Sequence, residues 1–122
     1  MIEYSLDSTN SILHVRLQGS LEKADFEQLA AAVDPHITQT GGLAGLVIKA
    51  PAFPGWENLG ALAAHVRFVR EHHRQIRRIA VSTDSALGKV AEQLASHFVA
   101  AEIRRFPAVD LEAARQWAMG GA

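Results

Sequence analysis

Two runs, LAGLVIKA at residues 43–50 and IAVS at residues 79–82, constrain this chain more than any other feature. Both are apolar without alternation, as expected of strands covered by helices on both faces. Between them, from near Asn58, apolar residues recur with a helical repeat for roughly four turns. Strand, helix and strand in that order form a right-handed parallel crossover. The loop leaving the first strand, residues 50–58, is where such an architecture usually carries its working residues. Here it holds Phe53, Pro54, Gly55 and Trp56, and no Ser, Thr, Cys or His.

Upstream, Ile2, Tyr4 and Leu6 alternate on one strand and Leu13, Val15 and Leu17 on another, with His14 and Arg16 on the opposite face of the second. The polar DSTN at residues 7–10 is short enough for a hairpin, which makes this pair antiparallel. A helix begins near Leu21 to Ala24 on the spacing of Phe26, Leu29, Ala30 and Val33. Asp34-Pro35 is expected to restart or kink it, and TGG at 40–42 to end it. After Asp84 another amphipathic helix buries Leu87, Val90, Ala91, Leu94 and Phe98. AEIRRF at 101–106 reads as an edge strand guarded by its arginines. Asp110 is placed to cap a last helix lined by Leu111, Ala114, Trp117 and Ala118.

The expected fold is therefore a single α/β domain over residues 1–122. Its mainly parallel sheet has about five strands, with an antiparallel N-terminal hairpin strand and four helices. At 122 residues and 48% apolar side chains the chain can bury a self-sufficient core, and with no cysteine it has neither a disulfide scaffold nor a thiolate nucleophile. The N-terminus does not have the pattern of a signal peptide, and no run approaches the ~20 apolar residues of a membrane span. A cytoplasmic protein without stable membrane insertion is expected. Residues 1–58 carry a net charge of −4 and residues 59–122 of +3, a dipole without the broad basic footprint of a nucleic-acid binder.

The hairpin followed by GSLEKADFEQL, GLVIKA, PGWENLGALAAHVRFVREHHRQIRRIAVSTD and AEIRRFPAVDLEAARQWA resembles the SpoIIAA-like family over nearly the whole chain. These are STAS-type domains, related in fold to CRAL-TRIO lipid-transfer domains. The resemblance implies partner or ligand binding. In STAS anti-sigma antagonists the equivalent loop supplies a phosphorylatable serine at a helix N-terminus; Pro54, Gly55, Trp56, Glu57 and Asn58 offer no hydroxyl. A phosphoryl switch there is disfavoured.

Trp56, with Phe53 beside it and Pro51, Pro54 and Gly55 to stiffen the loop, suits an apolar pocket or a binding anchor, or else folds back to cover the sheet end. Packing is the favoured role. Projecting the central helix at about 100° per residue places Leu59, Leu62, Val66, Val69, His73 and Ile76 on the core stripe. Arg67, Arg70 and Arg74 then lie on one flank. Phe68 falls on the far side with Ala61, His65 and His72, as a homodimer contact or a lone exposed aromatic. The histidines lack metal-ligand spacing and a completing carboxylate, so no metal is expected. The arginines suit a solvated flank.

STDS at 82–85 offers Ser82, Thr83 and Ser85 to an anion at a helix N-terminus, although Asp84 reads as an ordinary N-cap there. No nucleophile elbow or carboxylate pair is present. The sequence therefore points to a non-enzymatic binding or regulatory module without cofactor, its protein partner unidentified and self-association expected. The alternative is a carrier or sensor of a lipid-like or other apolar small molecule.

Overall fold

Each strand after the first joins the sheet one place further along in the same direction. The computed structural model describes residues 1–50, 55–84 and 99–120. It contains strands β1 (Ile2–Asp7) and β2 (Ile12–Leu17), helix α1 (Lys23–Thr40), strand β3 (Leu43–Lys49), helix α2 (Leu59–His72), strands β4 (Ile76–Ser82) and β5 (Glu102–Phe106), and helix α3 (Leu111–Ala118). The sheet order is β1-β2-β3-β4-β5, with β1 antiparallel to β2 and every later pair parallel. This is an α/β fold with a five-stranded mixed sheet and three α-helices among the described residues. The helix expected after Asp84 falls on residues 85–98, outside them. No described helix is long and apolar enough to cross a membrane.

The hairpin turn is set locally. The Asp7 carboxylate accepts the Asn10 backbone N–H at 3.1 Å and the Asn10 side-chain amide at 2.8 Å. Ser11 then adopts φ +58°, uncommon for a non-glycine residue. Its hydroxyl lies 2.8 Å from His36 Nε2 and donates to the Gly42 carbonyl at 3.1 Å, so the turn is fastened to both sides of the α1–β3 junction.

At the start of α1, Asp25 accepts the backbone N–H groups of Glu22 at 2.8 Å and Ile2 at 3.3 Å, tying the first turn to β1. The expected restart at Asp34-Pro35 does not occur: α1 is one helix with Pro35 inside it. Val33, His36 and Ile37 are buried on either side of the proline, while Pro35 and Ala31 are exposed. The backbone bond that proline removes is that of the Ala31 carbonyl, on the water side where solvent can replace it. Gly41, at φ +89°, ends the helix by donating its N–H to the Ile37 carbonyl.

The crossovers β2–α1–β3 and β3–α2–β4 advance the same way, and right-handed connections therefore put both helices on one face. Leu13, Val15, Phe26, Leu29, Val33 and Leu46 form the core there. The other face is served by α3, whose Ala114 and Ala118 pack on Ile12, Val47, Ala80 and Phe106. As expected, Leu111, Ala114, Trp117 and Ala118 form its packed side. Asp110 occupies the N-cap position but makes no side-chain cap bond, because a short 3-10 turn, Ala108–Asp110, already leads into the helix. The helix descends to β3 at Gly45, where a Cβ would stand 2.6 Å from the Ala118 carbonyl oxygen and 2.9 Å from its Cβ.

Helix α2 is rotated from its sequence projection, so that Leu62 and Val69 of the expected core stripe are half-buried and Leu59 and Val66 face outward. Ala61 and His72 are buried and Phe68 packs against the first core, whereas Leu59 is 82% and Val66 57% exposed. The small Ala61 and Ala64 allow close packing, while the Phe68 ring fills the crevice against α1, 6.4 Å from Phe26. Fit between surfaces outweighed the larger apolar area of Leu and Val. The helix also ends at His72, and a 3-10 turn at His73–Gln75 delivers Ile76 to β4 opposite Leu43 instead of extending the helical stripe.

Two stability measurements check this packing. Gly45→Ala is expected to cost about 1–3 kcal/mol in urea denaturation, because the new methyl meets backbone that cannot swing aside. Phe68→Ala is expected to cost about 3 kcal/mol while Leu59→Ala stays within about 0.5 kcal/mol, the reverse of what their exposure in the sequence projection implies.

Candidate functional site

The segment before α2 is held in place by its backbone. Gly55, at φ +83°, offers its carbonyl to the Leu21 N–H, and Glu57 donates its N–H to the Leu21 carbonyl, both at 2.9 Å. Trp56 thereby pairs with Leu21 as a one-residue parallel bridge. Asn58 then caps α2, its side-chain oxygen accepting the Ala61 N–H at 2.9 Å. These bonds fix where the indole leaves the chain. Phe53, the other aromatic of the loop, lies outside the described residues.

Trp56 is both fastened and partly open. Its Nε1–H donates to His65 Nδ1 at 3.1 Å, which staples the loop to α2, yet the residue remains 39% exposed. Accepting at Nδ1 leaves the His65 proton on Nε2. The His65 ring is stacked on Phe26 with centroids 4.8 Å apart, and burial pushes its pKa below the usual imidazole value. A neutral ring is what this contact needs.

From His65 the aromatic contacts continue inward. Phe26 meets Phe68, and Phe68 stacks on His72 at 4.1 Å. His72 Nε2 lies 2.7 Å from Asp34 Oδ1, and Nδ1 lies 2.7 Å from the Phe68 carbonyl. Both nitrogens face oxygens, so both bonds form together only when both nitrogens carry protons. His65 and His72 thus belong to the α1–α2 contact. Among the described residues no three His, Asp or Glu side chains gather as a metal site.

At the end of β4, Ser82 is fully buried and its hydroxyl is directed to the carbonyls of Pro107 at 3.2 Å and Ala108 at 3.4 Å. Thr83 is also buried; its N–H donates to the Phe106 carbonyl, and its own carbonyl accepts from Arg105 at 2.9 Å. Asp84 accepts the Ala108 N–H at 3.0 Å, so its carboxylate ties β4 to the turn before α3. Ser85 lies outside the described residues. The bonds of Ser82, Thr83 and Asp84 join β4 to the end of β5 and the turn after it.

Sequence spacing gave no sign that Ser11 and His36 would meet. A serine beside a histidine suggests nucleophile and base, but the Gly42 carbonyl can only accept, so the Ser11 proton is directed there. His36 Nε2 then donates to Oγ, which makes this contact a structural tie. Alternation in the sequence marks His14 and Arg16 only as the polar side of a strand and gives no sign of the open sheet face. They line a groove of about 520 Å³ with Glu3, Lys49, Glu112 and Arg115.

His65 offers a direct check of the Trp56 staple. Because its folded pKa is depressed, no charge is lost on folding above the unfolded value near 6.5; as pH falls below it, protons favour the unfolded chain and stability declines. Proton NMR should therefore give His65 a midpoint below 6.5. Denaturation of His65→Phe should show a weaker loss of stability between neutral and mildly acidic pH.

No curated protein matches the chain in sequence. A crystal structure of an uncharacterised protein with a SpoIIAA-like fold from Shewanella loihica PV-4 superposes with a TM-score of 0.75, covering 97% of this chain and 92% of that one. The two are 20% identical, a likeness of fold. The model of the SpoIIAA-like family matches residues 12–119, which take in the hairpin's second strand, both crossovers and the closing helix. The chain belongs to the SpoIIAA-like family.

Proposed function

We propose that this protein is a non-enzymatic binding module whose contact surface is the Trp56 edge and the outward face of α2, and that its partner there is a second copy of the chain. The observation that carries this reading is the exposure of Leu59 and Val66, 82% and 57%, on a helix whose other side is packed. Ala63 lies exposed between them in the helical repeat, and its small side chain allows another helix to approach closely. At the flank, Arg67 is bonded to Glu71 at 2.9 Å, so that cation is already compensated within α2.

A two-fold pairing of α2 with its copy is isologous, presenting the same stripe from each side. Leu59 of each chain then has an apolar surface to cover it. Phe68 contributes indirectly, by setting the rotation of α2 that turns Leu59 and Val66 outward. Outward-standing side chains suit a protein surface better than enclosure of a lipid-like molecule.

Sedimentation velocity across a concentration series tests the proposal. The parent chain should associate to a dimer, and Leu59→Glu or Val66→Glu should be monomeric with an unchanged circular dichroism spectrum. A parent chain that remains monomeric throughout, or a Val66→Glu variant of unaltered mass, refutes self-association through α2.

A further inference from the structure

Among the described residues α3 packs on β3, β4, β5 and on Ile12 at the start of β2, whereas β1 and the rest of β2 extend past the helix. Pairing register sets the side chains there in rows. One row is Ser5, His14 and Val47; the next, nearer the carboxyl ends of β2 and β3, is Glu3, Arg16 and Lys49. The rows form one side of the groove of about 520 Å³, and Leu111, Glu112 and Arg115 of α3 form the other.

Arg16 and Lys49 are direct partners across parallel strands, an arrangement in which like charges repel. Glu3 stands abreast of Arg16 on its other side. Arg115 is bonded to Glu112, whose carboxyl is held down to about 2 by hydrogen bonds from Arg115 and then Gln116. Lys49 is half-buried and, among the described residues, has no carboxylate partner. Beside these charges lie buried Val47 and half-buried Leu111. The groove therefore combines an uncompensated cation with apolar walls, at the strand ends where open α/β sheets bind ligands.

We propose that this groove binds a small amphipathic anion, its carboxylate or phosphate group held by Lys49 and Arg16 and its apolar body laid against half-buried Leu111. An oxyanion bridging the two cations relieves their repulsion. His14, in the neighbouring row, is placed to supply a further hydrogen bond. This site is on the opposite side of the sheet from α2 and does not depend on self-association.

Octanoate and phenyl phosphate are suitable probes, followed by NMR chemical shifts and calorimetry on the full chain. At least one should bind at millimolar concentration and shift the Arg16, Val47 and Lys49 signals. The tighter of the two assigns the head as carboxylate or phosphate. Lys49→Met, which keeps the apolar stem, and Arg16→Gln should each weaken binding about tenfold, the effect of losing one charge-assisted hydrogen bond. Arg67→Gln on α2 should leave it unchanged. No shift from either probe, or equal affinity in Lys49→Met, overturns the proposal.

Discussion

The handedness of the two crossovers governs what the rest of this molecule can do. Since β3 and β4 are each added one place further along the sheet, α1 and α2 have to share a face. They then bury one another as well as the sheet, and the aromatic series from His65 through Phe26 and Phe68 to His72 fills their contact. Among the described residues the opposite face has α3, a helix of eight residues, which packs on β3, β4, β5 and the start of β2. A sheet of this order has more surface on that side than α3 can bury. The exposed polar rows of β1 and β2 follow from topology.

That same arrangement explains which features could be read from sequence. Strands were legible because Leu13, Val15 and Leu17 alternate, and because the 43–50 run is apolar on both sides of Val47 and Ile48. The boundaries of α1 followed from its periodic apolar residues and the glycines after Thr40. Pro35 misled as a break because its effect depends on the side of the helix it occupies, and α1 turns it toward water.

The rotation of α2 was illegible for a different reason. Two stripes compete on that helix, one of Leu and Val and one of Ala, His and Phe, and a hydrophobicity projection prefers the first. The crevice beside α1 selects by shape and by polar partners: Ala61 and Ala64 pack closely, His65 accepts from Trp56, and His72 finds Asp34. Asp34 and His72 are far apart in sequence, as are Ser11 and His36. Neither pair has a spacing rule. Trp56 stands out from its loop in the sequence, but its bond to His65 required knowing which way α2 faced.

Arg16 and Lys49 stand apart from this economy. Several cations elsewhere have acceptors: Arg67 has Glu71, Arg115 has Glu112, and Arg78 bonds the Trp117 carbonyl while lying over its ring. At the end of β2 and β3 two cations are placed abreast, and the carboxylate beside them, Glu3, adjoins Arg16 and not Lys49. Solvent screens part of that repulsion, but Lys49 is half-buried, where screening is weaker. A chain under selection for stability alone has a simple remedy in an acid or a neutral residue at either position. Like charges set abreast on adjacent strands at the rim of a groove are a local conflict of the kind that binding sites carry, and this is the physical ground for the ligand proposed there.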